Sequence, residues 1–104
     1  MPDSPSPEKL EKRARNVLLF QLSRSMKTKR QLADILKKRE IPDEIALPLL
    51  DRFEEVQLID DAVFAHAYVR SRQEQGKSAR LISRELGQKG VSSEIIDQAV
   101  SEIS

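Results

Sequence analysis

SRELGQKGV at residues 83–91 reads as the end of one helix and the approach to another, and ADILKKREI at residues 33–41 has the same form fifty residues earlier. Leu36 and Leu86 fall at the same place, and Ile41 answers Val91. The match extends outward without a gap: Lys27 meets Lys77, Arg30 meets Arg80, Leu32 meets Ile82, Glu44 meets Glu94 and Ile45 meets Ile95. Self-similarity at a fixed period marks a repeated helical unit, and stacking two such units buries more than either thin core can alone.

Each copy contains three helices by its caps and apolar spacing. Ser6 with Pro7 opens the first helix, which runs to about Leu22 with Leu10, Ala14, Val17, Leu18, Gln21 and Leu22 at helical spacing. Thr28 and Gln31 form a capping-box pattern before Leu32, Ile35 and Leu36. Pro42 and Asp43 open the third helix, with Ile45, Leu49, Phe53 and Val56 on its stripe; Pro48 lies inside and is expected to bend or interrupt it. In the second copy Asp60 or Asp61 caps a helix bearing Phe64, Ala67 and Tyr68, and Gly76 ends it. Ser78 and Gly90 bracket the fifth helix, with Ala79 beside Ile82 and Leu86. Ser92 or Ser93 caps the sixth, whose stripe is Ile95, Ile96, Ala99, Val100 and Ile103. Glu40 stands where the second copy has Gly90, so a left-handed cap there would be strained and the second helix is expected to end less tightly.

The expected fold is therefore all-α: tandem three-helix repeats, two units and six helices. Residues 1–6 form a Pro- and Ser-rich tail expected to be disordered, residues 7–57 the first repeat and residues 58–104 the second. Composition agrees, with 38% hydrophobic and 34% charged residues, few aromatics and three glycines in 104 residues. There is no cysteine, no apolar run of the roughly 20 residues a membrane span needs, and no apolar region in MPDSPSPEKL of the kind a signal peptide carries. A cytoplasmic protein with no membrane association is expected.

Net charge is only +1, but its distribution follows the repeat. Residues 24–39 hold seven bases and one acid, residues 40–61 eight acids and one base, residues 70–89 six bases and two acids, and residues 90–104 three acids and no base. At about 100° per residue, Lys77, Arg80 and Arg84 lie opposite Ile82 and Leu86. Arg30 and Lys37 lie opposite Leu32, Ile35 and Leu36. A solvated basic face is the plain reading of either stripe alone. Its recurrence in both copies favours a surface for phosphates or acidic side chains. SARLISRELGQKGVSSEIIDQAV has the length of a helix-turn-helix, but the sixth helix offers Glu94, Asp97 and Glu102 and no lysine or arginine, which argues against major-groove readout.

No catalytic, metal or cofactor site is expected. His66 is the single histidine and falls opposite Phe64 and Tyr68, Asp60-Asp61 suits a helix cap, and no glycine-rich phosphate loop occurs.

Residues 58–91, LIDDAVFAHAYVRSRQEQGKSARLISRELGQKGV, strongly resemble the central repeat of the RecX family. The ordered set Leu58, Asp60-Asp61, Phe64-Ala65, Tyr68-Val69, Arg70, Arg72, Gly76, Arg80, Ile82, Glu85-Leu86 and Lys89-Gly90-Val91 carries the likeness, and Ala14 to Val56 resembles the family's first repeat less sharply. The resemblance implies an elongated, curved string of three-helix repeats that lodges in the groove of RecA filaments on DNA and opposes their assembly and activities. It also implies a monomer whose partners are RecA and, through basic faces, single- or double-stranded DNA. The expected RecA/DNA-binding surface is Arg70, Arg72, Lys77, Arg80 and Arg84, supplemented by Lys89 and by Lys27, Arg30 and Lys37 in the first unit. A standalone DNA-binding helical protein is the alternative, and a scaffold for another protein a third reading. Family members usually carry a third repeat where two are present here, so the grip on a filament is expected to be weaker, and binding more secure than inhibition.

Overall fold

The computed structural model describes residues 6–103. Among them it contains six α-helices and no strand: α1 (Pro7–Arg24), α2 (Lys29–Lys38), α3 (Asp43–Glu55), α4 (Asp61–Glu74), α5 (Ala79–Gln88) and α6 (Ser93–Val100). The residues expected to form a disordered tail, apart from Ser6, lie outside the described residues. Ser6 caps α1 by accepting from the Lys9 N–H, with Pro7 at the first helical position. Thr28 and Gln31 complete a reciprocal capping box on α2. Asp60 accepts from the Ala62 and Val63 N–H groups, Ser78 from Leu81, and Ser92 from Ile95. Each cap satisfies donors that a helix start leaves without partners.

The helices build two cores. Ala14, Leu18, Leu32, Leu36, Ile41, Ala46, Leu49, Leu50 and Phe53 are buried in the first, and Ile59, from the connection, joins them. Phe64, Ala65, Val69, Ile82, Leu86, Val91, Ile96 and Ala99 form the second. Burial repeats at the same offset as the sequence, in Leu32 and Ile82, Leu36 and Leu86, and Ile41 and Val91. Two apolar expectations fail. Val56 lies just past the end of α3 and is exposed, and Ala79, in the first turn of α5, is exposed because it precedes the contact with the neighbouring helices.

The interruption expected at Pro48 does not occur, and α3 runs unbroken from Asp43 to Glu55. Pro48 faces solvent, while Leu49, Leu50 and Phe53 hold the other side of the helix in the core. The looser end expected for α2 is also corrected. Glu40 takes φ +63° and Gly90 φ +90°, and both turns close with the same bond: the Ile41 N–H donates to the Leu36 carbonyl at 3.0 Å, the Val91 N–H to Leu86 at 3.1 Å. Glu40 is exposed and forms no ion pair among the described residues, and the conformational cost of roughly 1–2 kcal/mol is offset by the closed turn and the burial of Ile41.

The two units sit end to end in a body of 60 × 23 × 23 Å with a radius of gyration of 15.9 Å, against about 13 Å for a compact chain of this length. The joint is small and polar. The Thr28 hydroxyl, fully buried, donates to the Lys89 carbonyl at 2.6 Å. The Lys29 N–H donates to Asp61 Oδ1 at 2.9 Å. The turn at Gly90 rests directly on the side chain of Arg30.

Candidate binding surface

On α5 the division of faces is as expected: Ile82 and Leu86 are fully buried, and Arg80 and Arg84 are exposed on the other side. Lys77 is exposed too, but it precedes the Ser78 cap, in the turn where its N–H bonds the Arg72 carbonyl at 3.1 Å. Its position is therefore set by the end of α4 and not by the α5 helical angle. Arg70 is exposed on α4. Among the described residues, none of Arg70, Lys77, Arg80 and Arg84 is ion-paired with a carboxylate. Their charges remain available to a partner.

Arg72 is placed differently. Its Nε and Nη2 grip Glu85 Oε1 and Oε2 at 2.9 and 2.8 Å, and Nη1 donates to Gln75 Oε1 at 2.6 Å. The Tyr68 hydroxyl donates to the same Glu85 Oε1 at 2.9 Å. Arg72 also lies over the Tyr68 ring at 5.9 Å, and the Lys89 ammonium at 5.3 Å. A planar fork on a carboxylate fixes both partners, so Arg72 ties α4 to α5 and holds the helix from which Arg80 and Arg84 project. Lys89 is half-buried at the joint.

This clamp is pH-sensitive. Arg72 first, and the Tyr68 hydroxyl second, hold the Glu85 carboxyl below its ordinary range. A carboxyl with a depressed folded-state pKa adds stability above its unfolded value and loses it as pH falls through the folded one. Glu85→Gln is expected to be less stable than the parent at neutral pH, and the gap is expected to close on acidification below the carboxylate range. Urea melts of both proteins across an acid pH series measure it; a gap independent of pH would show that the charge of Glu85 does not contribute.

In the first unit Arg30 and Lys37 are exposed on α2 as expected, but the aliphatic stem of Arg30 covers the Gly90 turn. Lys27 precedes the Thr28 cap and donates from Nζ to Ser25 Oγ at 3.0 Å. Its neighbour Lys29 is engaged, bonding Asp51 at 2.6 Å and Glu54 at 2.9 Å, which together raise its pKa. Asp60-Asp61 does more than the expected capping. Asp60 caps α4, while Asp61 reaches across to the first turn of α2, and burial raises its pKa against the opposing pull of the Lys29 N–H. His66 Nδ1 lies 3.0 Å from Glu102. No group of acids and histidine among the described residues has a metal-binding arrangement, and no helix is long and apolar enough to cross a membrane. Residues with structural roles at the joint, Thr28, Asp61 and Gly90, were legible only as caps and turns. Phe20 and the cations around it on α1 have no counterpart in the second copy, so the repeat does not mark them.

Two capped three-helix units joined end to end, with unpaired arginines on an outer helix, define a tandem helical-repeat protein that presents cationic faces. Residues 14–53 match the family model of the RecX first three-helix domain, and residues 60–100 that of the RecX second three-helix domain. A regulatory protein RecX from Thermobifida fusca is 46% identical over 102 residues, spanning 97% of this chain and 55% of that protein. One from Streptomyces lividans is 50% identical over 91 residues, spanning 86% and 48%. A crystal structure of a regulatory protein RecX superposes with a TM-score of 0.87 at 30% identity, over 94% of this chain and 49% of that one. The chain belongs to the RecX family, and it spans about half the length of the curated relatives it matches.

Proposed function

We propose that this chain binds RecA filaments on DNA and opposes their recombinase activity, acting by binding alone with no catalysis of its own. Membership of the RecX family supports RecA as the partner. The observation that carries the site is the pair Arg80 and Arg84, exposed, unpaired, and backed by a fully buried Ile82 and Leu86. Arginines on a rigid, core-anchored helix meet phosphates or carboxylates with little ordering cost. Arg70 and Lys77 extend the same surface, and Arg72 serves it by positioning. Lys89, Lys27, Arg30 and Lys37 at and beyond the joint contribute secondary contacts. The protein acts as a monomer in the compartment that holds RecA and DNA, the cytoplasm. The proposed units are residues 7–57 and 58–104.

The test is RecA ATPase on single-stranded DNA, with co-sedimentation on filaments, for the parent and for Arg80→Glu/Arg84→Glu. The double reversal is expected to melt within about 0.5 kcal/mol of the parent, as exposed substitutions do. Filament binding and inhibition are expected to fall by on the order of tenfold or more, as two attractions become repulsions. Arg30→Glu/Lys37→Glu is expected to have a smaller effect. A normally folded Arg80/Arg84 variant that inhibits like the parent would make the stripe a solvated face. Binding to DNA alone that survives the salt at which filament binding is lost would favour a standalone DNA-binding protein.

A further inference from the structure

Three of the four aromatic residues are covered: Phe53 and Phe64 are buried and Tyr68 is engaged by Glu85, Arg72 and Lys89. Phe20, near the end of α1, is 54% exposed. Arg24 lies over its ring at 5.5 Å. The ring borders an open groove of about 520 Å³ whose walls are Lys9, Lys12, Arg13, Asn16, Val17 and, from the end of α2, Arg39. On α1 the residues Lys9, Lys12, Arg13, Asn16, Phe20 and Arg24 fall within an arc of about 120°, and the helix's acids Glu8 and Glu11 fall outside it. Glu11 is occupied by Arg15 at 2.9 Å. None of the five cations around the groove is ion-paired among the described residues. The stripe from Lys9 to Arg24 is roughly 22 Å long.

Five cations on one face with no carboxylate partner among the described residues suit a polyanion. One exposed ring among them suits a polyanion that also offers a flat apolar face. An acidic amphipathic helix would need a row of apolar anchors along the stripe, and within the arc Phe20 is the single exposed apolar side chain: Val17 beneath it is 9% exposed, and Leu19, 45% exposed, falls about 100° from the ring and outside the arc. A duplex presents phosphates but keeps its bases stacked on each other. A single strand offers both, with bases free to stack on an aromatic side chain and phosphates spaced along the backbone. The Asn16 amide, between Lys12 and Phe20 in the arc, has the donor and acceptor to meet a base edge.

We infer that the groove on α1 is a single-stranded nucleic-acid site, with Phe20 as the stacking platform and Lys9, Lys12, Arg13, Arg24 and Arg39 as the phosphate contacts. It is separate from the α5 face and does not depend on RecA. In a filament context it would let the first unit hold exposed single strand while the second meets another surface.

The test is fluorescence anisotropy of the full chain with a short labelled oligothymidylate, the matching oligouridylate and a duplex of equal length, across a salt series. Phe20→Ala and Phe20→Leu are expected to weaken single-strand binding by roughly tenfold, with duplex binding unchanged and the melting temperature close to the parent's. Phe20→Trp is expected to bind as well as the parent. Lys12→Gln/Arg13→Gln is expected to flatten the salt dependence by roughly one to two ions. Arg80→Glu/Arg84→Glu is expected to leave the Phe20-dependent part intact, which separates this site from the α5 face. Oligothymidylate and oligouridylate binding alike would mean the site reads base and phosphate, and a preference would name the sugar; both fit. Single-strand binding indifferent to Phe20, equal loss on duplex and single strand, or binding of an acidic peptide but no oligonucleotide would each overturn it.

Discussion

Gly90→Ala is expected to destabilise the protein by about 2–4 kcal/mol, whereas Glu40→Gly, at the equivalent place in the first unit, is expected to be neutral or stabilising by up to about 1 kcal/mol. The two positions share a left-handed backbone, φ +90° and φ +63°. They differ in what surrounds them. A Cβ on Gly90 would lie 2.4 Å from both Cβ and Cδ of Arg30 and 2.8 Å from Cγ. The contact includes the stem close to the α2 backbone, so the side chain cannot simply swing away. Relief requires the α5–α6 turn to lift from α2, and that lift stretches the 2.6 Å bond from Thr28 to the Lys89 carbonyl. A fall in melting temperature of roughly 10 °C or more follows for a domain of this size. The same mechanism predicts strong coupling: Thr28→Val should cost much less in Gly90→Ala than in the parent. Thermal melts of the three single variants and the Thr28/Gly90 double variant measure this, and additive losses would show that the turn and the hydroxyl act independently.

Leu36→Ala and Leu86→Ala are each expected to cost about 2–5 kcal/mol, because both side chains are fully buried and centred in their cores. The informative difference lies in where protection is lost. The apolar clusters are separate, one drawn from Ala14 to Ile59 and the other from Phe64 to Ala99. The contacts that cross between them include a pair of hydrogen bonds and one close turn. Amide exchange in Leu86→Ala should therefore rise most in α4, α5 and α6, and in Leu36→Ala most in α1, α2 and α3. Equal losses throughout both units would mean that the small polar joint makes them one cooperative body.

The helices were legible because their determinants are local. Thr28 with Gln31, Asp60, Ser78 and Ser92 mark starts within one turn of sequence, and the recurrence of Leu36 at Leu86 and Ile41 at Val91 exposed the repeat and its buried faces. The exposed arginines of α5 followed from the same angular arithmetic. The arithmetic stopped working wherever a residue lay outside a helix or answered to the other unit. Lys77 sits before its helix, Val56 after its own, and Pro48 is carried by the packing of Leu49, Leu50 and Phe53 that no local rule supplies. Arg72 looked like one more surface cation until α5 brought Glu85 and Tyr68 against it. Thr28 could be read as a cap, yet its hydroxyl meets a carbonyl 61 residues away. Asp61 caps a helix that begins 32 residues earlier, and Gly90 owes its identity as much to Arg30 as to its own φ. Sequence by itself determined the repeat, the six helices and the cationic face. Tertiary structure alone decided which cations are spent on the fold and which remain free, because pairing depends on side chains that meet only when the helices pack and the two units join.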